Sequence, residues 1–340
     1  MPVTLQDIAT RVGVSVATVS RALAGYPDVA TATRQRVLQA AQKMGYHPNV
    51  TARRLQKQRT DAIGFIIPAF DPHFSDPYFS KLLSGISDAA IEQDYDLLVS
   101  TCSPDTSAET QVYKRFVQGR RADGTLVVRT RKHDKRIVYL LEQQFPFVTF
   151  GRSLVEGDFC YIDVDGTAGI REVTHHLVNL GHRRIAIVLP PENLMFAHCR
   201  WLGFEEAMAE AGLPIEETLV KRGDLTEHSG HEAGRALLTR DDPPSAIVAC
   251  NDLMALGVIS AAQGLGLTVG GDVAVTGFDD VSLAAHSHPP LTTVRQPVYE
   301  IGQRICRMLI QLIEGKTLEE RHVILEPQLV VRESCGAMVQ

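Results

Sequence analysis

Short apolar, β-branched runs alternate with amphipathic segments after Thr60, and this alternation constrains the fold more than any other feature of the chain. The runs are AIGFII, DLLVS, GTLVVR, FPFVTF, RIAIVL, SAIVA and VAVTG. Strands that alternate with helices are typical of parallel sheets wrapped by helices. Because there are too many runs for one sheet, we expect two α/β lobes. The length of 340 residues also suits two or three domains.

The net charge is distributed unevenly along the chain. Residues 1–60 contain nine Lys and Arg against two acidic residues, a net charge of +7. The remainder contains 25 basic and 38 acidic residues, a net charge of −13, so the whole-chain value of −6 conceals a basic head on an acidic body. This asymmetry indicates a nucleic-acid partner for the head alone.

Cysteine usage and hydropathy indicate a soluble protein. The six cysteines are far apart and form no C-x-x-C pair, which argues against a disulfide framework and against a cysteine zinc site. The N-terminal sequence MPVTLQDIATRVG has no apolar core of signal-peptide length, and no segment approaches the roughly 20 apolar residues that span a bilayer. We therefore expect a cytoplasmic, nucleoid-associated protein without a membrane partner.

The basic head contains a predicted helix-turn-helix. Thr4 and Asp7 have the spacing of a helix cap, and Gly13 is the expected end of the first helix. Ser15 is a cap for a second helix over residues 16–23. The inward-facing residues of the two helices are predicted to be Leu5, Ile8, Ala9, Val12, Val19 and Leu23.

A third helix, near residues 33–44, completes the predicted head. Its apolar face consists of Val37, Leu38, Ala41 and Met44. Three helices of this size can bury one small core. A helical mini-domain without a DNA role is the alternative that this pattern leaves open.

The second helix of such a motif lies in the major groove, with the exposed residues of its first turns at the base edges. Here these residues are Val16, Ala17 and Arg21. Arg21 is able to read guanine, whereas the other two make only apolar contacts. The short hydroxyl side chains of Thr18 and Ser20 suit phosphates.

The run VTLQDIATRVGVSVATVSRAL, followed by TRQRVLQAAQKMGYHPN, resembles the N-terminal signature of the lactose/galactose-repressor (LacI/GalR) family. The resemblance covers essentially the whole chain. It implies a lambda-repressor-like helix-turn-helix head at 1–47, a hinge helix or linker at 48–60 and an effector-binding and dimerisation domain at 61–340. With the motif reading above, it gives these candidate DNA-binding residues: Thr4, Leu5, Ser15, Val16, Ala17, Thr18, Ser20, Arg21, Thr33, Tyr46, Asn49, Ala52, Arg53 and Leu55.

In this family the segment after Pro-Asn is a hinge helix that folds on operator DNA. The resemblance places its minor-groove wedge at Leu55, with Arg53 and Arg54 near phosphates. A solvated basic linker is the alternative. Two positions depart from the family pattern, because Ala24 and Ala30 replace polar residues; we expect weaker non-specific DNA binding, with Thr31 or Thr33 as substitutes.

The resemblance further implies a body like that of periplasmic binding proteins, with a ligand cleft between two lobes. The first lobe is expected at about 61–161 and 292–322, and the second at about 162–291 and 323–340. Ligands in α/β sheets bind beyond the carboxyl ends of strands, which favours the polar residues that follow the apolar runs. With the family's effector positions, the candidates are Phe79, Arg152, Arg200, Trp201, Asn251, Phe278, Asp279 and Gln296. Arg200 and Trp201 are expected to open the helix RWLGFEEAM.

These residue types suit a sugar. Planar Arg, Asn and Asp side chains hold vicinal hydroxyls, and aromatic rings cover an apolar sugar face. Structural alternatives remain for several candidates: helix capping for Asp279 and Asp280, an ion pair for Arg200, and core packing for Trp201. Phe79 either contacts the ligand or, together with Tyr78, packs the first helix of the body onto its sheet. The length of the loop from Ala69 to Asp76 favours a ligand larger than one ring.

Other chemistry is not indicated. His228 and His231 stand at i, i+3 spacing without a third ligand nearby, and Gly264, Gly266 and Gly270 neither follow a strand nor open a helix. No Walker sequence or G-x-S-x-G is present. We therefore expect no metal, no cofactor and no catalytic residue.

The leading hypothesis is a homodimeric repressor of carbohydrate-utilisation genes that binds a pseudo-palindromic operator under the control of a sugar or oligosaccharide in the cleft. One alternative is a regulator that responds to a purine or nucleoside, or to a phosphorylated carrier protein. A free solute-binding protein is disfavoured by the helix-turn-helix. The sequence does not decide between an inducer and a co-repressor. In the family that the chain resembles, a leucine-heptad tail makes some members tetramers. Only ESCGAMVQ follows the last predicted strand here, so the resemblance implies a dimer.

Overall fold

The computed structural model describes residues 3–46, 59–68 and 76–337. The predicted hinge residues Asn49, Ala52, Arg53 and Leu55 lie outside these ranges, as does nearly all of the loop from Ala69 to Asp76. The chain forms two compact units, Met1–Thr60 and Asp61–Gln340. In the described part of the chain, no helix is both long and apolar enough to cross a membrane.

The N-terminal unit is a three-helix head with α1 at Leu5–Val12, α2 at Val16–Leu23 and α3 at Thr31–Met44. The predicted capping box is confirmed, because the amide of Thr4 donates to the Asp7 carboxylate at 2.8 Å and the amide of Asp7 donates to the Thr4 hydroxyl at 3.3 Å. Ser15 caps α2 by accepting the amide of Thr18 at 3.1 Å. Gly13, with φ of 74°, ends α1 in the left-handed conformation that glycine adopts without steric cost.

Three predictions for the third helix were wrong. Leu38 is 47% exposed and lies off the core, while Val37 and Ala41 of the same helix are buried. The helix begins at Thr31 instead of Thr33, and neither threonine replaces the missing cap, since Ala30 stands at the cap position without a side-chain hydrogen bond. The head core consists of Ile8, Ala9, Val12, Val19, Ala22, Val29, Val37 and Ala41.

The C-terminal unit contains two six-stranded sheets, each the centre of one lobe. The orders are β11-β5-β4-β3-β1-β2 in the first lobe and β12-β10-β9-β8-β6-β7 in the second. All pairs are parallel except the antiparallel pair of β10 and β12. The strands are β1 Ala62–Pro68, β2 Asp96–Cys102, β3 Gly124–Val127, β4 Phe147–Phe150, β5 Cys160–Val164, β6 Ile185–Leu189, β7 Val220–Arg222, β8 Ala246–Ala249, β9 Ala274–Asp279, β10 Thr292–Arg295, β11 His322–Leu325 and β12 Gln328–Val330.

Helices cover both faces of each sheet, and most begin at a side-chain cap. Asp, Asn or Thr accepts an amide of the first turn at the start of six of them. The helices are α4 Pro77–Glu92, α5 Ser107–Val117, α6 Lys135–Glu142, α7 Gly166–Asn179, α8 Met195–Glu210, α9 Glu227–Leu238, α10 Asp252–Gly264, α11 Ser282–His286 and α12 Val298–Ile313.

Alternation along β1 shows how the first sheet is covered. Ile63, Phe65 and Ile67 pack with residues of α4 and α12, whereas Ile66 packs with residues of α5 and α6 on the other face. Both faces are apolar because both are covered, which explains the continuous apolar run AIGFII.

The two-lobed α/β prediction is confirmed, but the lobe boundaries need correction. The first sheet includes β5 to Val164 and β11 to Leu325, whereas β10, predicted to return to the first lobe, pairs with β9 in the second sheet. The chain therefore crosses between lobes after Val164, after Arg295 and after Leu325. Three crossings close together bring the carboxyl ends of both sheets to one cleft.

Candidate functional site

The candidate DNA-binding surface of the head is the start of α2. Val16, at 36%, and Ala17 are exposed there. Thr18 is half-buried and its hydroxyl lies 2.8 Å from that of Ser15. Ser20 is half-buried as well. The first turn of α2 thus presents two small apolar side chains and two hydroxyls on the accessible side of the helix.

Arg21 is exposed on the same helix but already has partners within the head. Its guanidinium forms an ion pair with Asp28 and lies 5.5 Å from the ring centroid of Tyr26. Exposed ion pairs of this kind contribute little stability. Arg21 can therefore exchange Asp28 for another acceptor at small cost.

The remaining described head candidates have mixed environments. The Thr4 hydroxyl is exposed and donates to the Asp7 carboxylate at 2.8 Å. Thr33 is half-buried on α3. Leu5 and Tyr46 are half-buried and pack against the head core, so each presents only part of its surface outward.

In the body, the ends of several strands and the starts of four helices, α4, α7, α8 and α10, enclose a cavity between the lobes. Seven of the eight predicted effector residues line it: Phe79, Arg152, Arg200, Asn251, Phe278, Asp279 and Gln296. Trp201 is the exception and is a correction to the prediction. The helix that carries it begins at Met195 instead of Arg200, and neighbouring helical residues point about 100° apart. Trp201 therefore lies on the far side of α8 and packs near Phe204.

Arg200 is the central donor of the cavity and is only 6% exposed. Its guanidinium carbon lies 3.8 Å from the ring centroid of Phe278 and 4.7 Å from that of Phe196. One terminal nitrogen donates to the Cys250 carbonyl, and the other lies 3.8 Å from Asp279 Oδ1. The Nε atom is buried and has no hydrogen-bond partner among the described residues. Since an unpaired buried donor is costly, Nε is a natural partner for a ligand oxygen.

Asp279 is held in a strained conformation beside this arginine. It adopts φ of 125°, and Asp280 adopts φ of 54°, both rare for a residue with a side chain. Gln296 Nε2 donates to Asp279 Oδ1 at 2.6 Å, while Asp280 pairs with Arg332 at 2.6 Å. Burial raises the pKa of the Asp279 carboxyl well above its usual range, although Arg200 opposes the shift. Burial favours the protonated carboxyl and Arg200 favours the carboxylate, and either form accepts a hydrogen bond from a ligand hydroxyl.

The first lobe contributes a second ion pair. Asp76 caps α4 by accepting the Tyr78 amide at 3.0 Å, and its other oxygen lies 2.9 Å from Arg129 Nη2. Arg129 in turn lies 4.7 Å from the ring centroid of Phe79, which is 1% exposed. Burial raises the pKa of Asp76 and lowers the pKa of Arg129. Phe79 is therefore mainly core, and its neighbour Tyr78, stacked on Phe150 at 6.2 Å, is the more available ring.

Arg152 and Asn251 line the cavity and also form hydrogen bonds within the protein. Arg152 Nε lies 2.7 Å from Asp163 Oδ2. The Asn251 amide oxygen caps α10 by accepting the Met254 amide at 3.1 Å, and its nitrogen donates to the Leu225 carbonyl at 3.0 Å. Asn251 is thus oriented by the fold before any ligand is present.

The lining is balanced in charge. Three arginines and three aspartates line the cavity: Arg129, Arg152, Arg200, Asp76, Asp163 and Asp279. Each arginine lies within 4 Å of one of these aspartates. With the three aspartates ionised, such a site offers donors and acceptors in pairs with no excess charge. Within the described ranges no three His, Cys, Asp or Glu side chains are placed to hold a metal ion.

Sequence reasoning missed Asp76, Tyr78, Arg129, Asp163 and Phe196. Arg129 comes just after β3, so the same end-of-strand argument that selected Arg152 applies to it. Phe196 was missed because the start of α8 was placed too late. Tyr78 was weighed only as core. Nothing in the sequence showed which of the two rings would face the cavity.

Comparison with known proteins agrees with both parts of the fold. Residues 4–49 match the model of the bacterial regulatory proteins of the lacI family, and residues 174–335 match a periplasmic binding protein-like domain. The HTH-type transcriptional regulator CelR of Thermobifida fusca is 35% identical, over 97% of this chain and 98% of that protein.

Two solved structures show the same likeness. A complex of the transcriptional regulator CelR with cellobiose has a TM-score of 0.76 at 34% identity and covers 98% of this chain and 99% of that one. A lac repressor dimer bound to operator and the anti-inducer ONPF has a TM-score of 0.86 at 26% identity, with 99% and 100% covered. With a helix-turn-helix head, a two-sheet body and a full-length relative of this similarity, the chain belongs to the lacI family of bacterial regulatory proteins.

Proposed function

We propose that this protein is a sequence-specific transcription repressor of carbohydrate-utilisation genes, whose binding to operator DNA is controlled by a neutral sugar or oligosaccharide in the cavity between the lobes. The observation that carries the ligand part is the buried Nε of Arg200, which has no partner among the described residues, on a guanidinium whose terminal nitrogen lies 3.8 Å from the strained Asp279 carboxyl. A donor and an acceptor side by side fit adjacent hydroxyls of a sugar ring.

Charge balance supports a neutral ligand. A phosphate or carboxylate group would approach three aspartates as well as three arginines, and each arginine already has a carboxylate near it. Aromatic side chains from both lobes, Tyr78, Phe150, Phe196 and Phe278, supply apolar surface for a ring face. The relative solved with cellobiose makes a β-linked glucose disaccharide the first compound to try.

The head supports the DNA part of the proposal. Its net charge of +7 over residues 1–60 suits phosphates, and α2 presents Val16 and Ala17 with Arg21 one turn further on. Full-length relatives are transcription regulators, so we infer action by binding and not by catalysis. Because the target is chromosomal DNA, we place the protein in the cytoplasm, at the nucleoid.

A homodimer is proposed from the apolar surface beside the edge of the first sheet. β2 ends that sheet, and its Leu98 and Val99 are 36% and 40% exposed. Ile91, near the end of the adjoining α4, is 69% exposed. An exposed edge strand with apolar neighbours is normally covered. Two copies of the chain would also match the two half-sites of a pseudo-palindromic operator.

A binding screen on the full-length protein tests the ligand. The panel contains cellobiose, other neutral disaccharides, monosaccharides, nucleosides and sugar phosphates, and the readout is thermal stabilisation, which rises with ligand concentration over Kd. We expect a neutral saccharide to stabilise the protein. Stabilisation by a nucleoside alone, by phosphorylated compounds alone or by none of the panel would contradict the proposal. Selection from a randomised palindromic DNA pool tests operator binding, and recovery of no preferred sequence at modest salt would refute it.

A further inference from the structure

A backbone bridge joins the two lobes beside the cavity. Arg131, which follows β3 in the first lobe, pairs with Leu194, which precedes α8 in the second, as an isolated antiparallel bridge. The amide of Lys132 donates to the Asn193 carbonyl at 2.9 Å, and the amide of Met195 donates to the Thr130 carbonyl at 2.9 Å. Thr130 itself lines the cavity, so this bridge lies at its rim.

One side-chain hydrogen bond extends the bridge. Asn193 Nδ2 donates to Asp105 Oδ2 at 3.0 Å and so joins the second lobe to the segment before α5 in the first. Asp105 adopts φ of 58° and is held by Arg131 Nε at 3.3 Å from Oδ1. Its amide donates to the Glu109 carboxylate at 3.2 Å. The acceptor is therefore fixed in position before Asn193 reaches it.

Buried ion pairs stiffen the first-lobe half of the bridge. The side chain of Arg131 is 8% exposed and lies 2.8 Å from the equally buried Glu109. The amide of Arg131 donates to Asp134 Oδ2 at 3.0 Å, and Asp134 also accepts from Arg136 at 2.7 Å. When the charged groups of a buried network are paired with one another in this way, the network is rigid and holds its residues in one arrangement. Thr130, Arg131 and Lys132 thus present a preformed edge to the other lobe.

The second-lobe half of the bridge is the N-terminus of α8, which has no side-chain cap. Leu194 stands at the cap position of α8 and makes no side-chain hydrogen bond to it. The carbonyl of Thr130 takes the place of a cap by accepting the first amide of the helix, from Met195. The same helix carries Phe196 and Arg200 into the cavity. Separation of the lobes would remove a cap from the helix that holds the central ligand donor.

We infer that the contact between residues 130–132 and residues 193–195 is a latch that holds the lobes together over the ligand, and that Asp105 and Asn193 are positioning residues for ligand capture although neither lines the cavity. The ligand part rests on the proposed function. The latch itself is a property of the protein with or without a sugar, so it has a test of its own.

Trp201 provides that test because it is the only tryptophan in the chain. It lies on α8 in a shallow surface pocket that Lys132 of the first lobe also lines. Opening of the latch would move Lys132 away and expose the indole, which shifts its emission to longer wavelength. Intrinsic fluorescence of the full-length protein therefore reports on the latch directly.

The experiment uses Asn193→Asp, which places a carboxylate against that of Asp105, and the double variant Asn193→Asp/Asp105→Asn, which restores a donor and an acceptor with their roles exchanged. Asn193 is exposed, so the substitution leaves the core untouched. Asn179→Asp, the same change at an exposed end of α7, is the matched control. In ligand-free protein we expect a red shift for Asn193→Asp, recovery in the double variant and no shift in the control.

For the sugar found by the screen, Asn193→Asp should raise the dissociation rate and weaken binding about three- to tenfold, the effect of losing one hydrogen bond. The double variant should recover most of this loss. Unchanged emission in Asn193→Asp overturns the latch whether or not any sugar binds. A shift in emission with no sugar binding by the wild type would instead support the latch and contradict the proposed ligand. A sugar that binds Asn193→Asp with wild-type affinity and dissociation rate overturns the role in capture.

Discussion

At the scale of single residues, the cavity contains a buried side chain that has several protein partners but retains one hydrogen-bond donor without an acceptor among the described residues. Arg200 has a backbone acceptor, a nearby carboxylate and two rings, yet its Nε remains without a partner among the described residues. Asp279 stays in a costly backbone conformation beside it. Strain and an unsatisfied donor in one place are expected where a ligand completes the structure.

The variant Tyr78→Phe tests whether the Tyr78 hydroxyl of the first lobe contacts the sugar. Tyr78→Phe keeps the stack on Phe150 and removes only the hydroxyl, so we expect sugar binding about three- to tenfold weaker with an unchanged Tm. Tyr113→Phe is the matched control. The Tyr113 hydroxyl is buried and has no hydrogen-bond partner in the described part of the chain, so its removal should leave affinity unchanged and Tm equal or higher. Equal affinities for the wild type and Tyr78→Phe would show that the Tyr78 hydroxyl makes no contact with the sugar.

Arg21 tests direct reading of the operator. Arg21→Ala should cost about 1–3 kcal/mol of operator-binding free energy and relax specificity at one position per half-site. Because Asp28 competes for the guanidinium in the head, Asp28→Asn should have the opposite effect and strengthen operator binding. Competition with operators substituted one position at a time measures both. A uniform loss over all positions would make Arg21 a phosphate contact instead.

Two aspartates with opposite pKa shifts predict the pH dependence of stability. Burial raises the pKa of Asp252 to about 6 from the ordinary 3.8. The folded state therefore retains a proton that the unfolded chain releases, so the Asp252 contribution to the free energy of unfolding falls as pH rises from about 3.8 to about 6 and stays low above it. Thermal melts should show a smaller decline over this window in Asp252→Asn.

Asp280 provides the comparison of opposite sign. Although burial opposes it, hydrogen bonds from Arg332 and Arg295 lower the pKa of Asp280 below the ordinary value. Its contribution is present above the unfolded pKa and is lost as pH falls through the folded one. Asp280→Asn should therefore lower Tm at pH 7 and flatten the acid limb of the plot of Tm against pH.

The Asp252 prediction has its own contrary outcome. If the Tm of Asp252→Asn declines between pH 4 and 6 as steeply as that of the wild type, the buried Asp252 carboxyl is not the group whose titration causes the decline.

At the scale of elements, helix pairs in both lobes cross at glycine. Gly85 of α4 meets Gly302 of α12 in the first lobe, and Gly230 of α9 meets Gly257 of α10 in the second. A Cβ atom at Gly85 would lie 2.1 Å from the Tyr299 carbonyl oxygen, a backbone atom that is unable to yield. These glycines set how closely the helices approach and hence how they cover each sheet.

Gly85→Ala is therefore expected to destabilise the body by about 1–3 kcal/mol or more, the usual cost of overpacking a core. Gly264→Ala is the contrasting variant. Gly264 is the last residue of α10 and a Cβ there meets nothing within 4 Å, so alanine should be neutral or stabilise by up to about 1 kcal/mol. Urea denaturation measures both. Equal stability of the wild type and Gly85→Ala would show that the two helices can separate without cost.

The elements also show what the sequence could and could not predict. Apolar runs identified the seven strands they covered. Six of these strands are buried on both faces and are therefore apolar throughout, whereas β2 is a largely exposed edge strand whose run is apolar for another reason. Return strands such as TTVR and HVIL contain nothing that selects one sheet over the other, so β10 was assigned to the wrong lobe. The sequence predicted Arg200 correctly as a cavity residue, but the prediction for its neighbour Trp201 was wrong. The side of α8 on which a residue lies depends on where the helix starts, and the predicted start was too late.

At the scale of the whole molecule, the proposed sugar site and the proposed operator-binding surface are linked by one thermodynamic coupling. If a sugar changes operator affinity by some factor, the operator must change sugar affinity by the same factor. The sign distinguishes an inducer, which weakens operator binding, from a co-repressor, which strengthens it. Either sign requires the sugar to have unequal affinity for the two states of the protein.

The most direct test of this claim is fluorescence anisotropy of the selected operator with full-length protein, with and without saturating sugar, alongside calorimetric titration of the sugar with and without operator. We predict that saturating sugar changes operator affinity about five- to 150-fold, the usual range of allosteric coupling, and that the operator changes sugar affinity by the same factor. In Arg200→Ala we expect neither change. A sugar that binds tightly in the cavity while operator affinity stays constant would contradict it.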